Sequence, residues 1–335
     1  MTSRSAAQPG LASTRSRWQH LALRFILRAP EASIAVVGII LLVAFEVLSP
    51  NFLTNANLST VSQFFSPWAI IACGEIMLLI CGEVDLSVGQ VFALTPFIMY
   101  FVAGAGVPLF LAMILALLVA GLLGLCIGFI TVHFGVPSFI TTLGAMLLIN
   151  GLTLTISGGF PVDTPNNLLG NIFGGWAYSE IAWAVGVAVV MHTILRHTRW
   201  GLQTIAAGGN PTGAAEAGIR IKHIKIGNFI LCSTIGGLAG ILNAFHVTSI
   251  DPNAGGANVM FLAIASSVIG GTSLMGGSGT ILGGLVGAAV LGILQDGFTL
   301  LGINAYTFDI ITGAAILITM ISNVQFAAWR RRSRI

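Results

Sequence analysis

Charged residues make up only 7% of this 335-residue chain, where soluble domains carry roughly 25%. Hydrophobic residues make up 56%, and no soluble fold of this size has interior enough to hide them. A soluble globular protein is excluded, and an integral membrane protein, almost wholly buried in bilayer, remains. Cysteine is sparse. Cys73, Cys81, Cys126 and Cys232 lie in or beside apolar runs with no Cys-x-x-Cys spacing, so they read as packing residues, not as disulfide partners or metal ligands. No Gly-xxxx-Gly-Lys-Ser/Thr loop occurs, so nothing supplies the cation that a nucleotide's terminal phosphates need. His20, His133, His192, His197, His223 and His246 are scattered and form no cluster for a membrane enzyme.

The few basic residues are concentrated. They gather at Arg4, Arg15, Arg17, Arg24 and Arg28, at Arg196, Arg199, Arg220, Lys222 and Lys225, and at Arg330, Arg331, Arg332 and Arg334. Beside membrane spans such clusters are cytoplasmic anchors, not nucleic-acid patches. Apolar runs recur at about 32–49, 63–81, 87–104, 107–132, 138–157, 179–195, 227–245, 258–272, 280–295 and 306–323. The expected fold is an all-α membrane protein with about ten transmembrane helices and both termini cytoplasmic. Several runs fall short of ~20 residues, so glycine-rich broken or re-entrant segments are expected. The count places 196–226 inside and 158–178 and 246–257 outside; these two outer loops hold Asp163 and Asp251 but no Lys or Arg. Residues 1–30 read as a disordered basic tail before an uncleaved first span, 31–325 as a single transmembrane domain, and 326–335 as a second basic tail.

Against this background, residues 81–89 stand out. Glu83 and Asp85 sit between two apolar runs, flanked by Gly82 and Gly89. A carboxylate at membrane depth costs several kcal/mol unless it faces protein, water or an interface, and tight turns there need protein or water to satisfy the backbone. The segment reads as a polar hinge. Helical spacing would put Glu75 on a face similar to 82–83; such acids either shape a substrate path, for which Glu75 and Asn150 are candidates, or merely pair with a polar neighbour.

Glycine is abundant, at 42 residues. Gly124 and Gly128, Gly236 and Gly240, and Gly283 and Gly287 each put small residues on one helix face, which favours close helix packing in membranes. Residues 268–284 form a glycine-rich turn holding Gly270, Gly271, Gly276, Gly277 and Gly279. In the cytoplasmic loop, Asn210 and Pro211 can start a short helix over Thr212, Gly213, Ala214, Ala215, Glu216 and Ala217, with Gly218 ending it. Such a helix is either a solvated loop element or a dock for a soluble partner.

Four segments in order carry a resemblance. They are Gly82-Glu83-Val84-Asp85-Leu86-Ser87-Val88-Gly89; Val136-Pro137-Ser138-Phe139-Ile140 with Thr142-Leu143-Gly144; Gly209-Asn210-Pro211 through Ala214-Ala215 to Gly218-Ile219; and Ile269-Gly270-Gly271-Thr272-Ser273 with Gly276-Gly277-Ser278-Gly279. Over about 53–322 the chain resembles permease subunits of bacterial ATP-binding-cassette importers for simple sugars, the ribose/xylose/arabinose type. It departs at Glu83, where the family more often has glycine, and at Glu216; Glu75 matches no family position.

The resemblance implies a bacterial inner-membrane permease, not an enzyme. The hinge at Gly82, Glu83, Asp85, Ser87 and Gly89 would be the family signature. Asn210, Pro211, Ala214, Ala215, Glu216, Ala217 and Gly218 would couple to a cytoplasmic ATPase that binds ATP and Mg²⁺. This chain would bind no cofactor and no metal. A periplasmic binding protein would deliver the solute, and a second permease copy or a paired homologue would complete the path. Two alternatives stay open. An ion-coupled secondary transporter would use acids such as Glu75 and Asp85 for coupling, and a related importer permease would carry a nucleoside or a branched-chain amino acid.

Overall fold

The computed structural model describes residues 30–165 and 168–332. The expected N-terminal tail thus lies, up to residue 29, outside the described residues, as do residues 333–335. In chain order the helices are α1 (Pro30–Leu48), α2 (Asn55–Ile80), α3 (Val88–Gly104), α4 (Leu109–Phe134), α5 (Ser138–Ser157), α6 (Leu168–Phe173), α7 (Ser179–His197), α8 (Arg199–Gly209), α9 (Pro211–Glu216), α10 (Ile221–Val247), α11 (Gly256–Ile269), α12 (Ile281–Leu300) and α13 (Ala305–Arg332). One small antiparallel ladder pairs β1 (Val162–Asp163) with β2 (Ser249–Ile250). It ties together the two loops that lack Lys and Arg, so both lie at one end of the bundle.

Local chemistry sets many of the boundaries. Thr198, Asn210 and Thr280 accept hydrogen bonds from the backbone N–H groups of Gly201, Gly213 and Gly283, at 3.3, 3.0 and 3.0 Å. First-turn N–H groups have no partner inside their own helix and need such caps. Buried hydroxyls bond back along their own helices: Thr95 to the Val91 carbonyl, Thr131 to Ile127, Thr153 to Ile149 and Ser266 to Leu262. That pattern satisfies them without water.

Six helices, α2, α4, α5, α7, α10 and α12, are long and apolar enough to cross a bilayer. Shorter apolar helices at 32–48, 88–104, 256–269 and 306–318 account for the remaining apolar runs. At ~1.5 Å per residue, the 14 residues of α11 reach about 21 Å, short of a ~30 Å hydrocarbon core.

The bundle is built around α2, whose apolar window is 89% buried and which packs on α7, α10, α11 and α12. At the other extreme, α5 is 17% buried and touches mainly α3. Each of the three glycine pairs sits where backbones meet. A Cβ on Gly124 would lie 2.4 Å from the Phe229 carbonyl oxygen, one on Gly240 2.0 Å from that of Phe92, and one on Gly287 2.2 Å from that of Ser266. Only hydrogen fits there.

Both α3 and α11 begin inside the bundle. Val88 lies against Gly236, near the middle of α10, and a Cβ on Gly89 would sit 2.1 Å from the Gly256 oxygen. Two short helices therefore start side by side, partway along their longer neighbours.

Hydropathy misplaces several ends. The first turns of α2, holding Asn55, Asn57, Ser59 and Thr60, are helical but polar and escape a search for apolar runs. Residues 326–332, read as tail, continue α13. The loop 196–226 contains α8, which its mixed apolar and polar composition hides.

Candidate functional site

The hinge joins the end of α2 to the start of α3. Gly82 has φ +75°, a left-handed conformation that glycine adopts without a Cβ clash, and its N–H donates to the Leu79 oxygen at 2.9 Å. Asp85 is fully buried. Its Oδ1 accepts from the Ser87 backbone N–H at 2.8 Å and from the Ser87 hydroxyl at 2.5 Å, and its Oδ2 accepts from Ser233 at 3.5 Å. The carboxylate thus fixes Ser87, the residue from which α3 starts, and a negative group is favourable at that end of a helix dipole.

Glu75 is also fully buried. Its Oε2 accepts from the Asp85 N–H at 3.5 Å, and its Oε1 accepts from the Cys232 thiol at 3.6 Å. Glu75, Asp85, Ser87, Cys232 and Ser233 form one buried polar cluster between α2, the hinge and α10. Glu83 does not share the face of Glu75 and pairs with a polar neighbour, the second of its two readings. The helix stops at Ile80, so helical spacing does not extend to 83; Glu75 turns inward, while Glu83 forms an ion pair with Lys225 at the start of α10. Asn150 is half-buried on α5, and among the described residues no hydrogen bond joins it to this cluster.

The four motif segments, far apart in sequence, converge at this end of α2. Ser138 Oγ accepts from the Val84 N–H at 3.3 Å, which ties the hinge to the start of α5. A Cβ on Gly208, in the last turn of α8, would lie 1.6 Å from the Ile80 oxygen. Gly277, with φ +78°, donates its N–H to that same oxygen at 2.8 Å and packs on Gly209. Bare backbone from the ends of α2 and α8 and from the glycine-rich turn meets at one point, which any side chain would pry open. In the same turn Gly270 abuts Gly283, Gly271 and Gly276 have φ +90° and +82°, and Gly279 packs on Ile80 and Thr272.

The expected short helix is present as α9. Asn210 caps it, Pro211 occupies its first position and Gly218 leaves it at φ +84°. Ala214 is buried, whereas Pro211, Ala215, Glu216, Ala217 and Gly218 are exposed, so a small-residue surface faces outward.

Asn228 escaped the sequence reading. It is fully buried, and its Oδ1 accepts from the Trp200 indole N–H of α8 at 2.7 Å. Its Nδ2 donates to the Met77 oxygen at 3.3 Å, to Thr204 Oγ1 at 3.2 Å and to Cys81 Sγ at 2.9 Å. One side chain on α10 therefore fastens α8 to α2 and the hinge. An asparagine next to Gly227 at the start of an apolar run was the available signal. It pointed to a buried partner without naming one.

Sequence comparison relates the chain to known proteins. A family model described as "Branched-chain amino acid transport system / permease component" matches residues 57–320. The xylose/arabinose import permease protein of Sulfolobus acidocaldarius is 37% identical over 304 residues, covering 88% of this chain and 85% of that protein. The ribose import permease protein of Escherichia coli is 35% identical, covering 86% of this chain and 92% of that one. That of Bacillus subtilis is 31% identical, covering 84% and 89%. No solved structure matches. With the matched region spanning the hinge, the α8–α9 pair and the glycine-rich turn, the chain belongs to this family of transport-system permease components and is a multi-pass inner-membrane protein.

Proposed function

We propose that this chain is the transmembrane permease subunit of an ATP-binding-cassette importer for a monosaccharide or a similar small polyhydroxylated solute. The observation that carries the reading is the convergence of the four motif segments beside α8 and α9, in a chain whose relatives are named as pentose import permeases. The α8–α9 end is cytoplasmic, because the basic residues from Arg196 to Lys225 cluster there. Ten spans then put both termini inside, and the β1–β2 end faces the periplasm and a solute-binding protein. A cytoplasmic ATPase docks on the exposed face of α9 and binds ATP and Mg²⁺. A second permease copy, or a paired homologue, completes the path.

In this mechanism, ATP binding moves α9 and the helix joined to it. The Gly208–Ile80 backbone contact and the buried Asn228 hydrogen bonds transmit that displacement to α2 and the hinge. A partner that binds one state of the bundle better shifts its population toward that state. No residue here performs covalent chemistry.

The test enlarges the docking face. Ala215→Trp and Gly218→Leu should each lower co-purification of the ATPase and ATP-driven uptake at least tenfold, a loss of about 1.4 kcal/mol or more. Both should leave the bundle folded. Normal ATPase retention with normal uptake in both variants would remove α9 as the dock. Uptake by the unaltered chain without any ATPase would overturn the importer reading.

A further inference from the structure

A cleft of about 370 Å³ opens between α2, α11, α12 and α13. It lies within the ~300–1,000 Å³ range of small-molecule sites. Trp68, Asn258, Gln295, Phe298, Tyr306 and Asp309 line it. Its position follows from the helices that supply these residues. Asn258 is in the first turn of α11, the short helix that starts partway along the bundle, and Gln295 and Phe298 are in the last turns of α12. Tyr306 and Asp309, in the first turns of α13, are exposed and form the mouth. Since α12 begins at the glycine-rich turn beside α8, the cleft runs from mid-bundle to the end opposite α8 and α9.

The lining selects a chemistry. Asn258 and Gln295 carry amides, which both donate and accept hydrogen bonds, and sugar hydroxyls do the same. Asn258 is exposed and Gln295 half-buried along the cleft wall, so their amides are at hand to exchange hydrogen bonds with the hydroxyls of a bound solute. Trp68, Phe298 and Tyr306 offer flat apolar surfaces for the C–H faces of a sugar ring. No lysine or arginine lines the cleft, and its one carboxylate, Asp309, is at the exposed mouth. An anion finds no cation there. A lipid tail would leave both amides without partners.

We propose that this cleft binds the transported solute, a neutral polyol of monosaccharide size, at the level where α11 begins. The proposal rests on the importer reading above and adds to it the place and the side chains that hold the solute. A half-helix starting beside a mid-membrane site, with irregular backbone tolerated only where it borders a cavity, is a recurrent physical solution in transporters.

The experiment uses the permease reconstituted with its ATPase and binding protein, with radiolabelled D-xylose and D-ribose as probes. Gln295→Leu and Asn258→Leu should each lower uptake at saturating pentose at least tenfold, while the ATPase still co-purifies. Independently, Thr299→Cys, at an exposed lining position with no assigned role in holding the solute, introduces a reactive thiol at the cleft in a Cys126→Ser background. Added pentose should slow its reaction with a membrane-impermeant maleimide at least threefold. Wild-type uptake in both leucine variants, or no protection of the thiol in a chain that transports the pentose, would overturn the cleft assignment while the importer reading stood. If the unaltered complex takes up neither pentose, the importer reading fails first and the cleft assignment goes with it.

Discussion

At the scale of single residues, the hinge carboxylate and Asn228 each carry a prediction set by their hydrogen bonds. Asp85→Asn keeps an oxygen to accept from the Ser87 N–H, whereas Asp85→Leu leaves that buried donor bare, at a cost of about 1–3 kcal/mol. Thermal unfolding in detergent should therefore show a clear loss for the leucine variant and a small one for asparagine. Identical melting of the two would mean that Asp85 does not hold the start of α3. Asn228→Leu breaks several bonds at once. Side-chain hydrogen bonds within membrane proteins average roughly 0.6 kcal/mol each, so a loss of about 2 kcal/mol is expected, with weaker uptake because α8 is no longer fastened to α2. Asn150→Leu is the control, since no hydrogen bond joins Asn150 to the cluster, and it should melt like the parent. Glu83 and Lys225 keep only 13% and 23% of their side chains exposed, so removing one partner leaves a largely buried charge uncompensated and costs more than it would for a surface pair. The importance of Asp85 was legible in sequence because an acid flanked by apolar runs needs a partner. The partner of Glu83 was not, because it lies on a helix more than a hundred residues away.

At the scale of elements, contact between bare backbones decides which glycines matter. Gly208→Ala would drive a Cβ into the Ile80 carbonyl, so α8 must shift away from α2 and uptake should drop several-fold. Gly144→Ala, on α5, meets nothing within 4 Å and removes a flexible residue from a helix interior, so it should be neutral or stabilising by up to ~1 kcal/mol. Uptake and melting temperature measured on both variants provide the check; equal damage from the two would mean that the three-way backbone junction carries no special weight. The α9 helix was readable from Asn210, Pro211 and Gly218 because capping acts over a few residues. Hydropathy misses the α8 helix. The Thr198 cap and the amphipathic pattern of 199–209 were the available signals; what the segment cannot name is the surface that it meets, where Trp200 packs over Gly227 and bonds to Asn228.

Across the whole molecule, the β1–β2 ladder and the α8–α9 pair mark opposite ends. On a cysteine-free background, Asp163→Cys should react with an impermeant thiol reagent from the periplasm, and Asn210→Cys only after the cytoplasmic face is exposed. Labelling of the second from outside intact cells would invert or break the ten-span arrangement.

The sequence alone determined the solvent this protein lives in and where its chain changes direction. Scarce charge, long apolar runs and basic clusters are summed properties that no folding detail can alter, and caps and glycine turns act over three or four residues. Only the tertiary structure decided that α3 and α11 begin side by side partway along the bundle, that Glu75 joins Asp85 while Glu83 leaves for Lys225, and that Asn228 binds three elements together. Those facts depend on which backbone faces which, at distances below 4 Å, between segments separated by up to two hundred residues. Hydropathy cannot encode such pairings, because lipid-facing and protein-facing apolar surfaces are chemically alike and only packing tells them apart.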